Sequence, residues 1–127
     1  MAKRQSMDIP GLIKHKNPIS HCTRIGNMIF SGAITGFDQE TGTLPDTLDA
    51  QTRNAFANMK TLVEGAGATL GDVGKLTVFM ADTSDRDAVN REWLALFPEE
   101  DDRPARHAVK SPFDGGMLIQ LEVVCVL

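Results

Sequence analysis

The chain has no tyrosine, one tryptophan and two cysteines in 127 residues. Cys22 and Cys125 are too few for a disulfide framework; they fit reduced thiols buried in strand-like segments. No apolar run approaches the ~20 residues that a membrane-spanning helix needs. The start also lacks the apolar core of a signal peptide, so no membrane contact and a cytoplasmic location are expected. Basic charge is short as well: 13 Lys and Arg stand against 17 Asp and Glu, a formal net charge of −4. Nonspecific nucleic-acid binding rests on clustered basic side chains, so nucleic acid is not an expected partner. His15, His21 and His107 have no ligand spacing with one another or with the cysteines, and no metal is expected.

What remains is enough for one domain over residues 1–127, burying roughly two-thirds of its unfolded surface. Residues 1–11 read as a loose N-terminal segment broken at Pro10-Gly11. Two antiparallel strands are expected at 20–25 and 28–34, joined by a tight turn at Gly26-Asn27. A helix begins near Pro45-Asp46-Thr47, repeats Thr52, Ala55, Phe56, Met59, Leu62, Val63 and Ala66 on one face, and ends at Gly65 and Gly67. Leu76–Met80 reads as a strand. Ser84 and Asp87 then have capping-box spacing before a second helix with Val89, Trp93, Leu96 and Phe97 inward, stopped by Pro98. Segments 105–110 and 118–127 close the order as strands. The fold class is α+β, a mixed sheet with both helices on one face. Strand 118–127 is apolar on both faces, so the uncovered face is expected to meet other copies of the chain.

Glu122 stands inside that apolar run. An unpartnered carboxylate buried there would cost several kcal/mol. Alternation puts Arg106, Ala108 and Lys110 on one face of their segment, and Gln120 with Glu122 on one face of theirs. If the two segments are antiparallel neighbours, Arg106 and Glu122 meet. That pairing is either a structural ion pair or an arginine clamp for an anionic substrate beside an acid–base residue, and the site is the preferred reading. Ser31-Gly32, at the end of the second strand, allows either a bend or close backbone approach to a ligand, and the bend is favoured. Lys110 could form a Schiff base, but nothing nearby marks it for desolvation.

Taken together, the stretches Asn17-Pro18-Ile19-Ser20, Phe30-Ser31-Gly32, Ala50–Ala55, Ala66-Gly67-Ala68, Val78–Asp82, Asn90, Arg103-Pro104-Ala105-Arg106 and Gln120–Val123 resemble the RidA family, also called YjgF, over about residues 17–127. The resemblance implies a chorismate-mutase-like fold assembled as a homotrimer with clefts between subunits. It implies hydrolysis of reactive enamines and imines to 2-keto acids and ammonia, with neither metal nor other cofactor. It assigns Arg106 to the substrate carboxylate, Glu122 to the attacking water, Ser31 and Gly32 to the substrate loop, and Asn90 to the cleft side. Ile19 stands where the family often has Tyr, and Ala108 where it often has Cys; both reshape the pocket wall. The departures leave room for a larger imine such as 2-aminomuconate, or for a non-catalytic small-carboxylate sensor. A ribonuclease or translation-inhibitor role is disfavoured by the acidic balance.

Overall fold

The computed structural model describes residues 3–127. Its strands are β1 Arg4–Met7, β2 Cys22–Ile25, β3 Met28–Ser31, β4 Ile34–Thr35, β5 Val73–Met80, β6 Ala105–Lys110 and β7 Ile119–Val126. They form one mixed sheet in the order β1-β2-β3-β7-β5-β6, with the short β4 also paired to β7. The expected β2–β3 hairpin is present, and Gly26 supplies the positive φ its turn requires.

Two expectations change at this end of the chain. Residues 4–7 are not loose: they pair antiparallel with β2 as an edge strand, while residues 1 and 2 lie outside the described residues. The strand expected over 28–34 is split into β3 and β4, which pair with different stretches of β7.

Helix α1, Leu48–Gly65, starts as the sequence predicts, with the Thr47 side chain accepting the Ala50 N–H. Its apolar stripe, Ala55, Phe56, Met59, Leu62 and Val63, is fully buried against the sheet. Helix α2, Asp87–Leu96, buries Val89 and Trp93. The expected capping box at its start does not form. Ser84 is instead tied to Asp82, its hydroxyl donating at 2.6 Å, and Arg86 sits at the cap without a side-chain capping bond, its Nε donating to Thr83 O at 2.9 Å. A short polar side chain binds the nearest backbone or carboxylate it can reach, and here Asp82 is nearer than the helix. The one capping box among the described residues lies elsewhere, at Thr69 and Asp72 around the 3-10 turn Leu70–Asp72.

β7 runs through the middle of the sheet. Ile119, Leu121, Val123 and Cys125 are buried under the helices, while Gln120, Glu122, Val124 and Val126 point to the other face. Both cysteines are free and buried. Burial pushes the Cys125 thiol up to about 11 and raises that of Cys22, with Asp8 adding to the latter. No helix is long and apolar enough to cross a membrane among the described residues.

The consequential correction concerns β6. It is not a neighbour of β7: it pairs parallel with β5, and β5 lies between them. The α2 crossover makes this arrangement natural, because a strand–helix–strand unit returns its second strand parallel to the first.

Candidate active site

β6 is the sheet edge nearest α2, and it delivers Arg106 under that helix. In register, Arg106 stands beside Leu76, which is buried on the helix side of β5. The guanidinium is held from two sides by residues of α2. Its Nη2 donates to Asn90 Oδ1 at 2.8 Å. Its Cζ lies 5.0 Å from the centroid of the Trp93 ring, a cation–π contact worth about 0.5–2 kcal/mol. Trp93 in turn packs on Phe97, ring centroids 5.0 Å apart.

Arg103 braces the crossover from its far end. Its Nε donates to Phe97 O at 2.8 Å and its Nη2 to Pro98 O at 3.2 Å, fastening the end of α2 to the approach of β6. The distance between Asn90 and Arg106 is therefore fixed by structure on both sides.

What Arg106 lacks is an acid. Arg91–Asp49 is the only ion pair among the described residues. Arg106 Nη1 is shielded from solvent and finds no acceptor in the chain. Buried donors are almost always satisfied, so an orphan on a positioned guanidinium points to an external acceptor. Burial, and then the nearby charge of Arg86, push the Arg106 guanidinium below its usual value.

Glu122 is elsewhere. It is exposed and stands in register with Thr77, the β5 residue that follows Leu76 and so faces the opposite side of the sheet. The expected meeting of Arg106 and Glu122 within one chain is thus overturned, as is the expected burial of the carboxylate. A whole strand separates the two residues, and they face opposite ways.

Ile19, Ser31 and Gly32 do come together. They line one solvent-open pocket with Pro18, Ser20 and Phe30. Ser31 Oγ accepts the Val123 N–H at 2.9 Å, patching the β7 ladder where β3 gives way to β4. Gly32 N–H donates to His21 O at 3.0 Å. Both contacts fit the bend reading, though the Ser31 hydroxyl proton stays free to donate. Ala108 lies two residues beyond Arg106 on the same face of β6, beside Val78. Arg106, Asn90 and Ala108 therefore form one group at the β6 edge, and Ile19, Ser31 and Gly32 another beyond β7.

One member of the first group, Trp93, is not legible as such in the sequence. Trp93 was assigned to the core stripe, where most of it does lie, but its ring also carries the arginine. The signal lies in the spacing: Asn90 and Trp93 stand at i and i+3 on one face of α2.

A mixed sheet with two helices on one face and an arginine presented at the crossover edge is the RidA-type, chorismate-mutase-like α+β layer. A family model described as Endoribonuclease L-PSP matches residues 12–126, and the chain belongs to this family, that of the RidA proteins. It is 35% identical over 104 residues to the 2-iminobutanoate/2-iminopropanoate deaminase of Escherichia coli, covering 80% of this chain and 81% of that one. It is also 35% identical over 109 residues to a RutC family protein of Pyrococcus abyssi, covering 84% of each. Among solved structures, RidA from an Antarctic Psychrobacter superposes with a TM-score of 0.87 at 28% identity, over 97% of this chain and 99% of that one. The Escherichia coli YjgF gene product superposes with a TM-score of 0.86 at 30% identity, over 96% and 98%.

Proposed function

We propose that the chain hydrolyses small 2-imino acids, and the enamines in equilibrium with them, to 2-keto acids and ammonia. The carrying observation is the state of Arg106: immobilised by Asn90 and Trp93, free of any acid, and holding a shielded Nη1 without an acceptor. A planar carboxylate satisfies that geometry with two parallel charge-assisted bonds. The named activity of the Escherichia coli relative supplies the reaction class.

In this reading Arg106 anchors the substrate carboxylate and Glu122 serves the water. Glu122 takes a proton from water as its oxygen bonds to the imine carbon, and the C=N electron pair moves to nitrogen, which is protonated. The proton held by Glu122 is the one delivered to that nitrogen, giving a neutral carbinolamine. Glu122 then takes the carbinolamine hydroxyl proton as the carbonyl forms and the C–N bond breaks, and passes it to the departing nitrogen, releasing ammonia. Arg106 and Glu122 face opposite sides of one sheet, so a cleft holding both is completed by a second copy of the chain. The sheet face carrying Glu122 supports such an assembly. Phe30 and Val126 are 39% and 45% exposed on it, a surface better covered than left to water. A homotrimer with intersubunit clefts, in which Ser31, Gly32, Ile19, Asn90 and Ala108 shape the substrate pocket, fits these constraints. No cofactor is needed for the steps described.

The test is keto-acid release from 2-iminobutanoate generated in situ by a dehydratase, with Arg106→Ala alongside the wild type. Loss of two charge-assisted bonds is expected to lower kcat/KM by about two to four orders of magnitude while assembly is retained. An assembled Arg106→Ala protein with wild-type turnover removes the arginine from the mechanism. Binding of 2-oxobutanoate without any acceleration of imine hydrolysis makes the protein a carboxylate sensor instead.

A further inference from the structure

Pro18, Ile19 and Ser20, part of the wall of the Ser31-Gly32 pocket, lie in irregular chain just before β2. The hydrogen bonds of this stretch are local: Asn17 N–H donates to His15 Nδ1 at 3.1 Å, and Ile19 N–H to Asn17 O at 2.8 Å. Its fastening to the rest of the fold passes through the next residue, His21. The His21 carbonyl accepts the Gly32 N–H at 3.0 Å, joining two parts of the same pocket lining. The ring reaches toward the N-terminal segment. Nδ1 meets the Ile9 N–H at 2.8 Å, and Nε2 meets Ile13 O at 2.9 Å. Ile9 is buried in the core, so the ring is moored to a fixed point.

Those two contacts admit one protonation state. A backbone N–H can only donate, so Nδ1 must be bare. A carbonyl can only accept, so Nε2 must carry the proton. A second proton would set Nδ1–H against Ile9 N–H, replacing a hydrogen bond by two opposed donors. His21 has no ion-pair partner among the described residues. Asp8 precedes Ile9 and Lys14 follows Ile13. His15 lines one cavity together with His21, and the rest of that lining, from β4, α1 and β7 among others, holds no titratable group.

We infer that His21 is a positioning residue for the substrate pocket: as a neutral imidazole it latches onto residues 9–13 and so holds Ile19 and Gly32 in place. This rests on the reading of Ile19, Ser31 and Gly32 as pocket wall. The latch is closed above histidine's ordinary range and opens as pH falls through it, from about 7 to about 5. With the latch open the wall is in place for only part of the time, and apparent affinity falls by that fraction.

Calorimetric binding of 2-oxobutanoate to the assembled protein at about pH 7.5 and about pH 5.5 reads the latch apart from turnover. The wild type is expected to bind about fivefold more weakly at the lower pH. His21→Ala, without the latch, should show about that weaker affinity at both. Asparagine keeps an acceptor for the Ile9 N–H and does not titrate. His21→Asn should therefore give one affinity at both pH values, tighter than that of His21→Ala. His15→Asn should keep the wild-type drop. Imidazole nitrogen NMR of the wild type should show a bare Nδ1 and a protonated Nε2 at the higher pH. A wild-type affinity indifferent to pH overturns the inference, as does an assembled His21→Ala protein that binds like the wild type. So does a drop that survives in His21→Asn or vanishes in His15→Asn, or a His21 proton found on Nδ1 at the higher pH. If the wild type binds 2-oxobutanoate at neither pH, the pocket reading itself falls and the inference with it.

Discussion

Gln51 shows how one side chain can hold two parts of the fold together. It is fully buried. Its Nε2 donates to Pro45 O at 2.8 Å and to Gly116 O at 2.9 Å, and its Oε1 accepts the Leu118 N–H at 2.8 Å. Both donors and an acceptor are thus spent joining the start of α1 to the approach of β7, the strand that carries Glu122. Gln51→Leu matches in volume but strands a backbone N–H and carbonyls; a loss of about 2–4 kcal/mol in chemical denaturation is expected. A loss under about 0.5 kcal/mol would show that water or relaxation satisfies them. At this scale the candidate site was legible in part. Arg106 and Asn90 were identifiable by resemblance, and they touch. Trp93 looked like core because a stripe of apolar residues says which side of a helix is inward, not what crosses over the end of a ring. Glu122 looked buried because its neighbours are apolar, yet alternation places it on the face the helices do not cover.

Between elements, backbone passes close against backbone where the chain leaves β4 and crosses α1. A Cβ on Gly36 would collide with the backbone of Gln51. Asn54 Nδ2 donates to Gly36 O at 3.1 Å, and Asn58 Nδ2 to Thr35 O and Phe37 O at 2.9 and 3.0 Å, stitching that segment to the helix. Gly36→Ala must therefore push α1 away, at an expected cost of about 1–3 kcal/mol. Gly71→Ala is the comparison: its Cβ meets only Thr69 Oγ1 at 3.6 Å, and a change within about 0.5 kcal/mol is expected. Equal thermal shifts for the two variants would mean that this approach does not limit the packing. Elements with a strong period, α1 and β7, could be placed from sequence because their apolar spacing fixes both type and inward face. The pairing of β6 could not. Alternation assigns residues to faces within a strand but carries nothing about which strand lies alongside, and a crossover helix routes β6 to β5 rather than to its successor. The α2 start failed for a local reason, since Ser84 and Asp87 have the right spacing but Asp82 competes for the serine.

For the whole molecule, the sheet divides the chemistry. One side is sealed by the helices and presents Arg106 at its edge; the other, with Glu122 among Phe30, Val124 and Val126, stays open. Burying that open face against further copies would remove exposed apolar area and bring complementary halves of the site together. The insertion of β5 between β6 and β7 then has a genetic consequence. Arg106→Ala and Glu122→Gln copies should each be inactive alone, yet rescue one another when unfolded and reassembled together. Under random mixing in equal amounts, about a quarter of the clefts draw an intact arginine from one copy and an intact glutamate from its neighbour. Activity recovered to about that fraction would mark the two residues as belonging to different copies in every working cleft. No recovery from correctly reassembled mixtures would place them in the same copy. Two defective alleles, in other words, should be able to make one serviceable enzyme.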